Sequence, residues 1–175
     1  CPSGASTGTY EAYEKRDKND KKYLGKSVLK AVNLINNKIS KKLKGHNIHN
    51  QEKVDALMIN LDGTRQKTIL GANSILAVSM AVKKLSAKVK KLPLYKTFLV
   101  KKNFQLPFPL MNIINGGVHA NNGLRIQEFM IRPDKAKSFS DAIRICFLVI
   151  KNLSKIIKSR KLSPSVGDEG GFAPM

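Results

Sequence analysis

Apolar residues recur at steps of three and four positions in three stretches of the first half of the chain, which predicts three amphipathic helices. These helices cover residues 27–45, 50–61 and about 72–90. Ser27 is the expected N-cap of the first helix, and Gly45 is its expected stop. The third helix carries apolar residues on several sides, so its first half is predicted to be largely buried. Those apolar residues are Ile75, Leu76, Val78, Met80 and Val82.

A change of pattern near residues 101–103 begins a second region that contains strands and one long helix. Apolar runs at 106–114 and 125–131 predict strands, and prolines confine the start of the first one to a sheet edge. A helix over about 138–160 follows, with a capping-box pattern at its start. A third strand is expected after Pro164. The helix residues expected to face a core are Ile143, Cys146, Val149, Ile150, Leu153 and Ile157.

The order of these elements predicts a fold class. Two strands, a long helix and a third strand, each strand ending in a polar loop, are typical of the opening of an α/β barrel. The chain is therefore assigned to the α/β class, with a mostly helical domain over residues 1–103 and the start of a barrel domain over 104–175. Chemistry in such barrels gathers at the C-terminal ends of the strands.

The net charge of +20 is high, but its distribution argues against specific nucleic-acid binding. Lysine supplies 26 of the 32 basic residues and is spread along the whole chain, and tryptophan is absent. Base recognition relies on arginine forks and stacking aromatic rings, which are scarce here. We therefore expect no specific nucleic-acid partner.

The cysteines and the apolar runs indicate the cellular compartment in which the protein is expected. Cys1 and Cys146 lack the spacing of a metal site, which favours a reduced intracellular compartment. The longest apolar run, residues 145–150, is too short to cross a bilayer, and no signal peptide is visible. Because the chain begins at Cys1 and not at a methionine, we expect it to be a piece of a longer protein.

The most distinctive stretch is the last turn, in which Asp168 and Glu169 stand between glycines. A strand that ends in this way leaves a bare backbone that a ligand can approach, with an acid beside it. The alternative is a tight surface turn, which these residue types commonly form.

Two further stretches place polar groups near predicted strand ends. The glycine-rich loop at 115–122 holds His119, and Glu128 lies between Ile126 and Met130 on one face of the second strand. A carboxylate between two apolar side chains is costly unless it binds something. Convergence at one barrel mouth singles out His119, Gln127, Glu128, Asp168 and Glu169.

Two glycine-containing segments near the start of the chain are considered as ion-binding loops. The loop of small residues at 3–8 can turn backbone groups and hydroxyls toward an ion, or it can be a flexible connector. The segment 25–27 is similar to the end of a phosphate-binding P-loop, but Asp20 stands where the first glycine is required. The P-loop interpretation is therefore rejected.

Six segments, in order and in spacing, resemble enolase. The resemblance covers essentially the whole chain and is strongest to bacterial members of the family. The N-terminal strands of those members, and most of their barrel, have no counterpart in this chain. The segments are PSGASTG (2–8), LDGT (61–64), LGAN (70–73), NIINGGVHA (112–120), QEFMI (127–131) and VGDEGGFAP (166–174).

The resemblance implies an α+β N-terminal domain, represented here mainly by its helices, followed by the start of an enolase-type α/β barrel. It implies a Mg²⁺-dependent carbon–oxygen lyase, a phosphopyruvate hydratase that interconverts 2-phosphoglycerate and phosphoenolpyruvate in glycolysis and gluconeogenesis. It also implies a cytoplasmic homodimer, with cell-surface or secreted forms in some members.

The resemblance assigns roles by match to the family motifs. Glu169 is the expected proton donor to the departing 3-hydroxyl, and Glu128 is expected to assist it. His119 and Gln127 are expected to contact the substrate. Ser6, on a loop that closes over the site, is the expected ligand of the second magnesium ion.

The same resemblance places the family's base lysine and the carboxylates of the first magnesium ion beyond this chain. The chain alone is therefore expected to be inactive, whereas its parent is expected to be an enolase. The alternative is a non-catalytic enolase-like protein that binds anionic partners through its basic surface.

Overall fold

The computed structural model describes residues 1–4, 7–19, 21–98, 104–167 and 169–175. The chain divides into two compact units, residues 1–100 and residues 101–175. The domain boundary between 103 and 104 falls in a stretch outside the described residues and stays a prediction. Among the described residues, no helix has both the length and the apolar character that a membrane span needs.

The first predicted helix is confirmed, with a π-helical turn inside it. Helix α1 covers Leu29–Leu34, the π-helical turn covers Ile35–Ile39, and helix α2 covers Ser40–Leu43. The π turn inserts one extra residue into the helix, so residues on either side are rotated relative to a regular α-helix.

The predicted N-cap of this helix was wrong. No side chain at the flanking position caps α1, and the carboxylate of Asp17 accepts the backbone N–H groups of Leu29 and Lys30 at 2.5 and 3.0 Å. Ser27 is buried beside Asp17 instead and supports its carboxylate by a side-chain hydrogen bond. A carboxylate accepts charge-assisted bonds from two N–H groups at once, which a single hydroxyl does less well.

The other two predicted helices of the first unit are confirmed. Helix α3 covers Gln51–Asp62, with the side chain of Asn50 accepting the Lys53 N–H and Gly63 ending the helix in a left-handed conformation. Helix α4 covers Ala72–Val89, and a short 3-10 helix follows at Leu94–Phe98. The buried core between these helices consists of Ile39, Val54, Met58 and Leu70.

The prediction that the first half of α4 is largely buried was wrong for part of its surface. Leu76 is 50% exposed and Met80 is 43% exposed, whereas Asn73 and Ser74 are buried. A helix that packs against neighbours on one side buries one stripe of its surface. The elements that contact α4 are α3, the short 3-10 helix, α1 and the π-helical turn, and they leave Leu76 and Met80 exposed.

The second unit contains a two-stranded sheet and one long helix. Strand β1 covers Met111–Asn115 and strand β2 covers Glu128–Ile131, and the two pair antiparallel with Asn115 opposite Glu128. Both strands are shorter than predicted. The prolines at 107 and 109 explain the loss at the start of β1, since proline cannot donate to a ladder.

Helix α5 covers Phe139–Ser159, and its predicted capping by Ser138 is confirmed by a hydrogen bond of 3.1 Å from the Asp141 N–H. Its expected core face is only partly correct. The fully buried residues are Ala142, Cys146 and Ile157, whereas the expected core residues Ile143 and Val149 are exposed. The reason is again that α5 packs on one side, so a helix that is apolar on several sides leaves apolar residues uncovered.

The third predicted strand is reduced to isolated bridges within the described residues. Phe172 forms a parallel bridge with Ile114 of β1 and an antiparallel bridge with Val166. The chain therefore returns to the edge of β1 after α5, and the last turn folds back on itself. This return places the acidic turn beside the end of β1.

Candidate active site

The antiparallel pairing of β1 and β2 brings two polar stretches together. His119 lies in a 3-10 turn, Gly117–His119, shortly after the C-terminal end of β1, and Glu128 is the first residue of β2. In a parallel pair these positions would lie at opposite ends of the sheet. Because the strands are antiparallel, the end of β1 and the start of β2 meet, with Asn115 opposite Glu128.

Three of the predicted residues form one cluster. The Nδ1 atom of His119 lies 3.5 Å from Oε1 of Glu128 and 3.4 Å from Oε2 of Glu169. One ligating atom from each of the three lies within 4.8 Å of the others. The imidazole is buried, whereas the Glu128 side chain is 23% exposed and the Glu169 side chain is 43% exposed. The two carboxylates therefore lie between the buried imidazole and the solvent.

Gln127 joins this cluster from the loop that precedes β2. Its Nε2 atom donates to Oε1 of Glu128 at 3.2 Å. The structure thus brings together four residues singled out from the sequence: His119, Gln127, Glu128 and Glu169. Ser6 and Asp168 lie outside the described residues, so their candidate roles stay predictions.

Glycines give the loop and the turn the space they need. Gly117 has a φ of +54°, in the left-handed region that disfavours side chains, just before His119. A Cβ atom on Gly116 would lie 2.4 Å from the carbonyl oxygen of Ile126. The backbone after β1 can therefore approach the backbone before β2, and this approach holds the histidine loop against Glu128.

The last turn is held against β1 by backbone hydrogen bonds. The Asn115 N–H donates to the Phe172 carbonyl at 2.8 Å, and the Phe172 N–H donates to the Ile113 carbonyl at 2.9 Å. Within the turn, the Gly167 N–H donates to the Gly171 carbonyl at 2.8 Å. These bonds fix Glu169 next to His119 rather than leaving it on a free surface turn.

Sequence reasoning missed two asparagines in this region. Asn112 and Asn115 both stand in β1, and the Asn112 amide donates to the Asn115 side-chain oxygen and to Oε2 of Glu169, the latter at 3.4 Å. Asn115 is completely buried. The available signal was two polar residues inside an otherwise apolar strand, since a buried polar side chain requires a partner.

The cluster can hold and move protons, but it does not fit magnesium. Two carboxylates and an imidazole can exchange a proton over hydrogen-bonding distances. Mg²⁺ prefers an octahedral set of oxygen ligands, whereas the central member of this cluster offers a ring nitrogen, which suits zinc-like ions better. The arrangement therefore matches acid–base chemistry beside a substrate more closely than a magnesium site.

Comparisons with known proteins agree with the sequence resemblance. The family model described as "Enolase, N-terminal domain" matches residues 1–98, and the model described as "Enolase, C-terminal TIM barrel domain" matches residues 103–175. The chain is 78% identical over 175 residues to a protein named "Enolase" from Pelagibacter ubique (strain HTCC1062). The match covers all of this chain and 42% of that relative's length.

Proposed function

Because the chain belongs to the enolase family, we propose that the full-length protein containing it is a lyase that interconverts 2-phosphoglycerate and phosphoenolpyruvate. The observation that carries the proposal is the cluster of His119, Glu128 and Glu169, whose ligating atoms lie within 4.8 Å. The chain spans 42% of the length of its relative, so the proposal concerns the whole protein and not this chain in isolation.

The reaction needs a base and an acid. A base outside this chain takes the proton at C2 of the substrate, and the electron pair left at C2 forms the C2=C3 double bond. The C3–O bond breaks and its electrons leave with the hydroxyl oxygen. Hydroxide is a poor leaving group, so an acid must protonate that oxygen, which departs as water.

Glu169 is the proposed acid. It is more exposed than His119 and Glu128, with 43% of its side chain open to solvent, so a small molecule can reach it. Nδ1 of the buried His119 lies 3.4 Å from Oε2 of Glu169. The carboxyl proton moves to the departing oxygen, and Glu169 is left as a carboxylate beside the imidazole.

Glu128, His119 and Gln127 are proposed to shape the same end of the substrate pocket. Oε1 of Glu128 accepts a hydrogen bond from the Gln127 amide at 3.2 Å and lies 3.5 Å from Nδ1 of His119. The Glu128 carboxylate is therefore held by two neighbours. A fixed carboxylate beside the departing hydroxyl can orient that group before the proton is transferred. His119 and Gln127 supply donors for the polar substrate.

The cofactor proposed is Mg²⁺, by family membership alone. When bound, it supplies positive charge that offsets the charge developing on the substrate carboxylate. Ser6 is the proposed ligand within this chain. The His119 cluster does not fit this ion, and the steps given above use only protein groups and substrate.

The proposal is tested by Glu169→Gln in the full-length protein, assayed for phosphoenolpyruvate formation with Mg²⁺ present. Loss of the acid should lower kcat by about 100-fold or more, the usual contribution of a positioned general acid. Glu52→Gln, on the exposed surface of α3, is the matched control and should leave turnover unchanged. Near-normal turnover of Glu169→Gln would refute the proton-donor role.

An inactive full-length protein would refute the proposed function and leave the non-catalytic alternative. We also propose that the full-length protein is a cytoplasmic homodimer that acts in glycolysis and gluconeogenesis. We propose no specific nucleic-acid partner for it. Sedimentation of the full-length protein tests the dimer. A monomer at micromolar concentration would contradict it.

A further inference from the structure

Asn115 joins three parts of the candidate site. Its backbone N–H donates to the Phe172 carbonyl at 2.8 Å, which holds the final turn. Its carbonyl accepts the Asn122 amide at 2.8 Å, which holds the loop carrying His119. Its side-chain oxygen accepts the amide of Asn112. A completely buried residue with these bonds fixes the relative positions of the loop, the strand and the turn.

Asn112 extends this arrangement to the acid. Its Nδ2 atom donates to Oε2 of Glu169 over 3.4 Å, and the same oxygen lies 3.4 Å from Nδ1 of His119. One oxygen of the carboxyl group is therefore approached from two sides. Both of these contacts are made to Oε2 and not to the other oxygen, Oε1.

The acidic turn rests directly on the two asparagines. A Cβ atom on Gly171 would lie 2.8 Å from Oδ1 of Asn115 and 3.0 Å from Oδ1 of Asn112. A Cβ atom on Gly167 would lie 2.2 Å from Nδ2 of Asn115. Because Gly167 and Gly171 have no Cβ atom, the turn approaches the side-chain amides of Asn112 and Asn115 more closely than it could with any other residue at these two positions.

We propose that Asn112 and Asn115 are positioning residues that aim the carboxyl group of Glu169 for proton donation, an inference that rests on the proposed function. An amide N–H can only donate, so Asn112 keeps Oε2 as an acceptor and the transferable proton stays on Oε1. During the reaction that proton passes from Oε1 to the departing oxygen, and the bonding electrons remain on Glu169. Fixing the proton on one oxygen removes a rotation that the acid would otherwise have to make.

A purely structural role is the competing explanation, since buried amides commonly satisfy each other at the end of a strand. The two roles differ in what a substitution changes. A structural pair affects stability, and affects substrate binding and turnover together. A positioning pair affects turnover, and its effect disappears when Glu169 is no longer an acid.

The test uses Asn112→Asp in the full-length protein. This substitution keeps the shape of the side chain and removes its N–H donors. The Nδ2 atom of Asn115 has no hydrogen-bond partner among the described residues, so this amide can turn over and donate to the new carboxylate. The fold should therefore tolerate the change. Asn152→Asp, on the exposed surface of α5, is the matched control.

We expect Asn112→Asp to lower kcat by about 100-fold with KM changed less than about threefold, because misplacing a reacting group mainly affects the transition state. Asn112→Ser, which keeps a shorter O–H donor without adding charge, should lower kcat less. In a Glu169→Gln background, Asn112→Asp should lower kcat further by less than about threefold. Normal turnover of Asn112→Asp, or a full additional loss in the double variant, would overturn the inference.

A second measurement separates this inference from the proposed function. The ¹⁵N resonance of His119 Nδ1, identified by its loss in His119→Gln, reports the neighbouring carboxyl group 3.4 Å away. Asn112→Asp should move it as well, because the carboxyl group beside the imidazole loses the N–H donor of Asn112. If the unsubstituted protein is inactive, the proposed function fails while this resonance still tests the positioning. A resonance that moves in Glu169→Gln but not in Asn112→Asp would overturn the positioning role.

Discussion

Nδ1 of His119 lies 3.4 Å from Oε2 of Glu169, although the two residues come from different loops separated by the whole of α5. The histidine is buried and the acid is partly open to solvent. This pairing gives Glu169 a fixed orientation without closing it off from a small molecule. Residues that hold the same cluster should therefore affect turnover more than substrate binding.

Glu128→Gln should lower kcat about tenfold or more, but less than Glu169→Gln does, because Glu128 assists the proposed acid and does not donate the proton itself. Glutamine keeps the shape and loses the charge next to His119. Steady-state kinetics of the full-length protein with Mg²⁺ measure the effect, and Glu52→Gln is again the control. Equal losses in the two variants would contradict the division of roles.

Gly167→Ala should destabilise the full-length protein by about 1–3 kcal/mol, the usual cost of overpacking. The new Cβ atom would lie 2.2 Å from Nδ2 of the completely buried Asn115 and 3.0 Å from the backbone carbonyl oxygen of His119. Denaturant unfolding measures the difference. In Gly8→Ala the new atom meets nothing within 4 Å, so this variant should unfold like the wild type. Unchanged stability of Gly167→Ala would mean that the turn does not rest on Asn115.

Asp62→Asn should destabilise the protein by about 2 kcal/mol at neutral pH, because Asp62 is buried and its carboxylate accepts several hydrogen bonds. The bonds come from the Leu70 N–H at 2.7 Å and from the backbone and hydroxyl of Thr64. Burial alone would raise the pKa of the Asp62 carboxyl, but these hydrogen bonds outweigh it and hold the pKa below the ordinary value of 3.8.

This lowered pKa fixes the pH dependence of the Asp62 effect. A carboxyl whose pKa is lower in the folded state stabilises the fold above its ordinary pKa, and this stabilisation is lost as the pH falls through the folded-state value. The difference in unfolding free energy between the wild type and Asp62→Asn should thus be constant near neutrality and shrink below about pH 4. Asp55→Asn, on the same helix, is the control. A difference that persists at low pH would refute the explanation.

Ser138→Ala should destabilise the protein by about 1 kcal/mol, because the Ser138 hydroxyl accepts the Asp141 N–H at the start of α5. Ser140→Ala, an exposed position in the first turn of the same helix, should have little effect. Hydrogen exchange of the first amides of α5 measures the local change. Equal protection in the two variants would contradict the capping role.

The helices were the most predictable part of the fold because their signals are local. The capping of α3 by Asn50 and of α5 by Ser138 follows from residues next to each helix. The cap of α1 could not be predicted in the same way, since Asp17 reaches it from a loop 12 residues before Leu29. A distant carboxylate leaves no pattern at the helix start.

The residue types of the site were predictable, but its geometry was not. A histidine in a glycine-rich loop and acids near strand ends can be recognised in a sequence. Strand direction is a non-local property, and only the antiparallel pairing of β1 and β2 explains why Glu128 meets His119. The roles of Asn112 and Asn115 depend on a turn that returns after α5, which no spacing in β1 indicates.

The hairpin formed by β1 and β2 also has a kinetic consequence. His119 and Glu128 are separated by nine positions, so their contact closes a short loop, which forms within microseconds in an unfolded chain. The contact between His119 and Glu169 spans 50 positions, so it closes a much longer loop and costs more conformational entropy. Loop closure therefore favours the contact of the imidazole with Glu128 over its contact with the acid.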